Sequence, residues 1–256
     1  MKLKVPVADL RSGPNELIPK DFSHNPSRLS QIICGERLDL LEERGEWLFV
    51  EAKEQLRFSQ EKGWHGYPGW VHISEVDLTD TFYPPYFVII EKNLSFGRYV
   101  SERDSLSLRS LSSPFSRKQL IQDALSFLGA PYLWGGKAFF SKEPIASVDC
   151  SGLTHLLYRA QGILIPRDAH DQFLKCKRIE KEELMPGDLL FWAPCDNPER
   201  VTHVVIYQDR GHFIEAPKTG EVVRILPLPF DFWQEQQGYY FPRREKPYLV
   251  FCGRFA

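Results

Sequence analysis

An α+β fold is predicted by three observations. The first eighty residues read as short strands joined by turns, the chain from Ser116 opens with helical periodicity, and it closes on a run of apolar strands. Helices followed by antiparallel strands segregate into layers rather than alternating as in a parallel sheet.

The N-terminal strands come first. "ERLDLLEERGEWLFVEA" (36–52) holds two apolar runs separated by Glu-Glu-Arg-Gly-Glu, a hairpin signal. "KGWHGYPGWVHISEV" (62–76) sets Gly, Pro and aromatics around another strand. With little helix in evidence, residues 1–80 are expected to form a small β-barrel. A linker over 81–113 follows, with one strand-like stretch in "TFYPPYFVII" and then a Ser- and Arg-rich surface connection. The remaining 114–256 form the second unit. Its first helix is read from "SRKQLIQDALSFLGAP", where Leu120, Ile121, Ala124, Leu125 and Leu128 share a face before a Gly-Ala-Pro stop. A second starts at Cys150 and a shorter one lies in "RDAHDQFLK" (167–175). The strands are "GDLLFWA" (187–193), "HVVIYQ" (203–208), "HFIEA" (212–216), "EVVRIL" (221–226) and "YLVFCGRF" (248–255).

Bulk properties narrow the function classes. The hydrophobic fraction of 43% suffices for a buried core, and a net charge of −2 with no basic stripe offers nothing to nucleic acid. "FPRREKP" (241–247) reads as a solvated loop. The N-terminus has two lysines but no apolar signal core, and no run approaches the length of a membrane span, so a cytoplasmic protein without membrane association is expected. Cys34, Cys150, Cys176, Cys195 and Cys252 are odd in number and irregular in spacing, with no CxxC pair. Reduced thiols are expected, and neither a metal nor an organic cofactor is implied.

The chemistry gathers at "VDCSGLTHLLYRAQG" (148–162). Leu153, Leu156, Leu157 and Ala160 fall at helical spacing and Gly162 supplies a stop, so Cys150 occupies the first turn. A free thiol has a pKa of about 8.5. A helix N-terminus and a neighbouring imidazolium both favour the nucleophilic thiolate. Ser151 and Gly152 are small and leave access to the sulfur. On these local grounds a nucleophile and a small buried hydrophobe are equally good accounts of Cys150.

Seven histidines compete as the base. His155 lies about 140° round the same helix from Cys150 and cannot readily meet the sulfur. His203 opens "HVVIY", at the end of a strand. If Tyr207 pairs with Gly211, His203 pairs with Glu215 and the two share a face; a one-residue bulge would reverse this.

The ordered set "PYLWGG", "DCSGL", "IPRDAHDQ", "LMPGDLLFW" and "HVVIY", with a polar residue twelve positions beyond the histidine, resembles the NlpC/P60 family of papain-like cysteine peptidases, which cleave bacterial cell-wall peptides. The likeness covers about residues 114 to 256. "GEWLFVEA" and "GYPGWVHISE" resemble a bacterial SH3 domain, and the combination is similar to γ-D-glutamyl-L-diamino acid endopeptidases.

The resemblance implies Cys150 as nucleophile, His203 as general base and Glu215 as the group that orients the imidazole, where the family more usually has His. A carboxylate is a sound orienter, as in serine-protease triads. It implies that Tyr132 supports the oxyanion site; packing under the Gly135-Gly136 turn is the competing role. The implied substrates are peptidoglycan-derived peptides with a free N-terminal L-Ala. Asp149, Ser151 and Tyr67 would read the amine, and Trp134, Arg167 and Asp168 would line the cleft or serve packing and capping. Two other functions fit the same residues: an acyltransferase or amidase using the Cys-His pair, and a non-catalytic wall-binding adaptor.

Overall fold

A computed structural model describes residues 1–3, 5, 7–14, 24–33, 36–78, 114–140, 145–228 and 248–256, together with the strands at 87–89, 98–100, 233–235 and 238–241. The linker expected over 81–113 lies outside the described residues except for its two short strands, Phe87–Ile89 and Arg98–Val100, which pair with each other.

The N-terminal part is a five-stranded antiparallel sheet of β1 (Val7–Arg11), β2 (Arg28–Ile33), β3 (Leu38–Arg44), β4 (Trp47–Ser59) and β5 (Gly63–His72), in the order β2-β1-β5-β4-β3. The expected hairpin at 36–52 is β3–β4, turning at Gly45-Glu46. One side buries Leu10, Ile32, Leu48, Val50, Ala52 and Val71. This agrees with an SH3-like sheet. Among the described residues the edge strands β2 and β3 do not pair, so the sheet stays open where a barrel was expected.

The C-terminal part packs helices on a second antiparallel sheet. In chain order come α1 (Arg117–Leu125), the hairpin β6 (Lys137–Phe140) and β7 (Ile145–Val148), α2 (Cys150–Ala160), α3 (Ala169–Lys175), β8 (Leu189–Pro194), β9 (His203–Asp209), β10 (His212–Glu215), β11 (Arg224–Pro227) and β12 (Tyr248–Arg254). The sheet order is β11-β10-β9-β8-β12, extended beyond β12 by the strands at 238–241 and 233–235. Ser116 caps α1 by accepting from the Gln119 N–H, and Leu120 and Ala124 are buried as the periodicity requires. The α2 residues Leu153, Leu156 and Leu157 meet Val204 and Ile206 of β9 and Phe191 of β8 in the largest core. The β6–β7 hairpin has no counterpart in the sequence-based reading, because its strands are short and Lys137 opens the first of them.

Ion pairs and hydrogen bonds join the two parts. Lys137, fully buried, contacts Glu36, also fully buried, and Arg159 reaches Glu36 at 3.4 Å and Glu54 at 2.6 Å. Gln55 donates to Glu36 at 2.7 Å and Gln31 accepts from the Lys137 N–H at 3.1 Å. Burial alone would raise Glu36, but Lys137 and Arg159 beside it hold its pKa below the ordinary carboxylate value. Burial lowers Lys137 to about 8 against the pull of Glu36. Among the described residues no helix is long and apolar enough to cross a membrane.

Candidate active site

The N-terminus of α2 is built by Asp149. Its backbone is extended, with φ −90° and ψ −179°, and its side chain accepts from the Gly152 N–H at 2.6 Å, the standard N-cap bond. Cys150 is thus the first helical residue, half-buried. Gly152 has a different reason from the expected access to sulfur. A Cβ there would stand 2.1 Å from the Gly136 carbonyl oxygen, which also accepts from the Asp149 N–H at 3.0 Å. The absent side chain lets the "WGG" turn seat against the helix end.

Arg167 locks this arrangement from below. It is 1% exposed and donates to both Asp149 oxygens, at 3.0 and 2.8 Å, to Ser151 Oγ at 3.0 Å and to the Gly136 carbonyl at 3.3 Å. Its Nε donates to Ser30 Oγ of β2 at 2.9 Å, and Ser30 donates in turn to Gln55 at 2.6 Å. Asp149 and Ser151 therefore spend their polar atoms on Arg167 and on the helix cap.

His203 approaches from β9. Its Nε2 lies 3.3 Å from Glu215 Oε2, and the ring also meets the side chain of Cys150. Burial would lower the imidazole, but the charge and hydrogen bond of Cys150, followed by those of Glu215, raise it to about 9. Trp192 packs edge-on against the ring, with centroids 5.2 Å apart.

The register differs from the expected one. Tyr207 pairs with Phe213, and Ile206 with Ile214; continuing this sets Glu215 opposite Val205 rather than His203. The loop is the tight pair Arg210-Gly211, with φ of 46° and 72°, as a type I′ turn requires. The ladder then skips Gln208 between Tyr207 and Asp209. The tight turn alone would have put Glu215 on the other face; the bulge restores the parity, and His203 and Glu215 meet diagonally.

Behind Glu215 stands Arg224 of β11, whose Nε donates to Glu215 Oε1 at 2.9 Å and whose Nη1 meets Glu221 at 2.6 Å. The sequence reading missed Arg224; an arginine nine residues after the acid, across a turn, is the only trace it leaves there.

Tyr132 is buried beside this group, and burial together with the charges of Cys150 and Asp149 pushes its hydroxyl far above the usual range. Its N–H donates to the Glu221 carbonyl at 2.9 Å and it bridges to Val148. Tyr67 of β5 donates to Asp168 Oδ2 at 3.0 Å. Asp168 takes the N-cap position of α3 without capping it by its side chain, and burial raises its carboxyl above the ordinary value despite Arg167 nearby. Asp171, one turn on, accepts from the Phe58 N–H of β4 at 3.1 Å and is raised by burial to about 6. Trp134 is 40% exposed and sets its ring against His24. His155 is fully buried and its Nδ1 meets the Ile165 carbonyl at 2.9 Å, so it is neutral and turned away from the sulfur.

Residues 129–240 match the model of the NlpC/P60 family. The chain is 27% identical over 242 residues to a gamma-D-glutamyl-L-lysine dipeptidyl-peptidase of Bacillus subtilis, covering 81% of this chain and 78% of that one. It is 36% identical over 110 residues to a murein DD-endopeptidase of Escherichia coli, covering 42% and 38%. A crystal structure of an NlpC/P60 family protein from Bacillus cereus superposes with a TM-score of 0.71 at 22% identity, over 99% of this chain and 98% of that one.

Proposed function

We propose that this chain, which carries an NlpC/P60 domain over residues 129–240, is a cysteine peptidase that hydrolyses the γ-D-glutamyl–diamino acid bond of peptidoglycan stem peptides. The observation that carries the reading is the His203 imidazole, half-buried, with Nε2 3.3 Å from Glu215 Oε2 and a further side-chain hydrogen bond to Cys150. The thiolate attacks the γ-carbonyl, and the tetrahedral oxyanion is met by the Cys150 N–H at the start of α2 and by the Tyr132 hydroxyl. Protonated His203 gives its proton to the departing amine, leaving an acyl-enzyme. Neutral His203 then takes a proton from water, which releases the dipeptide.

The amine of the N-terminal L-Ala is read by Asp168 and Tyr67. Asp149 and Ser151, expected at the same task, act instead through Arg167, which already matches their charge and hydrogen bonds. Asp168 is the carboxylate not spent on its own helix, and an ammonium would offset the burial that raises it. A stem peptide with a free alanine amine is expected to be cleaved at least about a hundredfold faster than its acetylated twin, since leaving Asp168 beside a neutral amide costs a few kcal/mol. Equal turnover of the two, measured by release of the diamino acid product, would remove this assignment.

The pH dependence has a definite sign. His203 is raised from 6.5 to about 9, so kcat/KM falls as the pH climbs through about 9 and the leaving group loses its acid. The same shift contributes stability that is fully present below about pH 6.5 and lost as the pH passes through about 9. A rate profile flat across that range would contradict the role given to the imidazolium.

A further inference from the structure

Glu215 has a fully buried side chain, and a buried carboxylate needs a cation in every state of the reaction. His203 supplies one only while protonated. At the stage where the imidazole is neutral, His203 no longer matches the charge of Glu215.

Arg224 is a second cation by position. Its Nε meets Oε1 of Glu215 at 2.9 Å, the oxygen that His203 does not use, and a guanidinium does not titrate in the working range. Arg224 is itself held by Glu221 at 2.6 Å. His203 from β9 and Arg224 from β11 both meet Glu215. Cys150 of α2 lies beyond the first and Glu221 beyond the second. The result is a line of alternating charge from the sulfur to the sheet edge.

The backbone ties this line to the other side of the site. The Glu221 carbonyl accepts from the Tyr132 N–H, Val222 bridges to Pro131, and Val223 exchanges hydrogen bonds with Gly129 and Ala130 at 2.9 and 2.8 Å. The segment that carries Arg224 is therefore stitched to the segment that carries Tyr132.

We infer that Arg224, backed by Glu221, is a positioning residue for the Cys150–His203 pair: it keeps Glu215 an anion with one oxygen aimed at the imidazole throughout the cycle. This rests on the Cys–His reading above. Arg224 acts through Glu215, so its loss is expected to change kcat and not KM.

The test compares the full chain with Arg224→Gln and Arg224→Lys. Two profiles are taken against pH: kcat and KM on a free-amine stem peptide, and the rate of alkylation of Cys150 by iodoacetamide, located by mass spectrometry. For Arg224→Gln, kcat is expected to fall about tenfold with KM hardly changed. The acid side of both profiles should move up by about one pH unit, because a carboxylate that loses a close cation protonates more readily. Arg224→Lys should restore most of the rate and the profile. Superimposable profiles for Arg224→Gln and the parent would overturn the inference. So would failure of Arg224→Lys to restore a profile when its melting temperature has dropped as far as that of Arg224→Gln, which would mark the arginine as structural. Alkylation needs no peptide, so the two readings can fail separately. A parent that alkylates at Cys150 with the expected shift in Arg224→Gln but cleaves no stem peptide would defeat the proposed function alone.

Discussion

Cys150→Ala is expected to lose release of L-Ala-γ-D-Glu from a tripeptide by about 10⁴-fold or more, the scale on which removal of a nucleophile acts. The fold should survive, because Cys150 is half-buried at the first position of α2 and alanine is a good helix former. The substitution also removes the largest of the influences that raise His203, so its imidazole should titrate well below about 9, a change that nuclear magnetic resonance reads directly. Turnover close to the parent's, assayed by mass spectrometry of the dipeptide, would end the cysteine-peptidase reading. An unaltered imidazole titration would place the sulfur too far from the ring to matter.

Asp149→Ala should produce the largest loss of stability of any single change at the site. Arg167 is almost wholly buried and both Asp149 oxygens meet it. Removing one partner of a buried pair leaves an uncompensated charge and costs about 3–5 kcal/mol. The N-cap bond to Gly152 goes with it, worth roughly 1 kcal/mol more. Urea denaturation followed by circular dichroism measures the sum. Asp149→Asn keeps a capping oxygen and should recover only the smaller share. If Asp149→Ala unfolds at the parent's urea concentration, the guanidinium finds its match elsewhere and the lock beneath α2 is not what holds it.

What the sequence showed follows the range of the interactions. The α2 helix was legible because its apolar spacing and its Gly162 stop lie close together in the chain. The closeness of His203 and Glu215 was legible through strand parity alone. The register behind it was not, since a two-residue turn and a bulge at Gln208 together give the same parity as the looser loop expected. The role of Gly152 was misread because the Gly136 carbonyl that crowds it comes from a turn sixteen positions earlier. Nothing local to Asp149 announces that Arg167, across a loop, donates to both of its oxygens. The Lys137–Glu36 contact spans 101 positions and leaves no periodic trace.

That last contact bears on whether the halves can be exchanged. Cut away from residues 1–78, the C-terminal half would keep Lys137 and Arg159 without Glu36 and Glu54, and Arg167 without Ser30. Grafting a foreign N-terminal sheet onto this scaffold would succeed only if the graft brought those acceptors at the same places. A chimera chosen for its surface-binding preference alone would inherit orphaned cations at its seam.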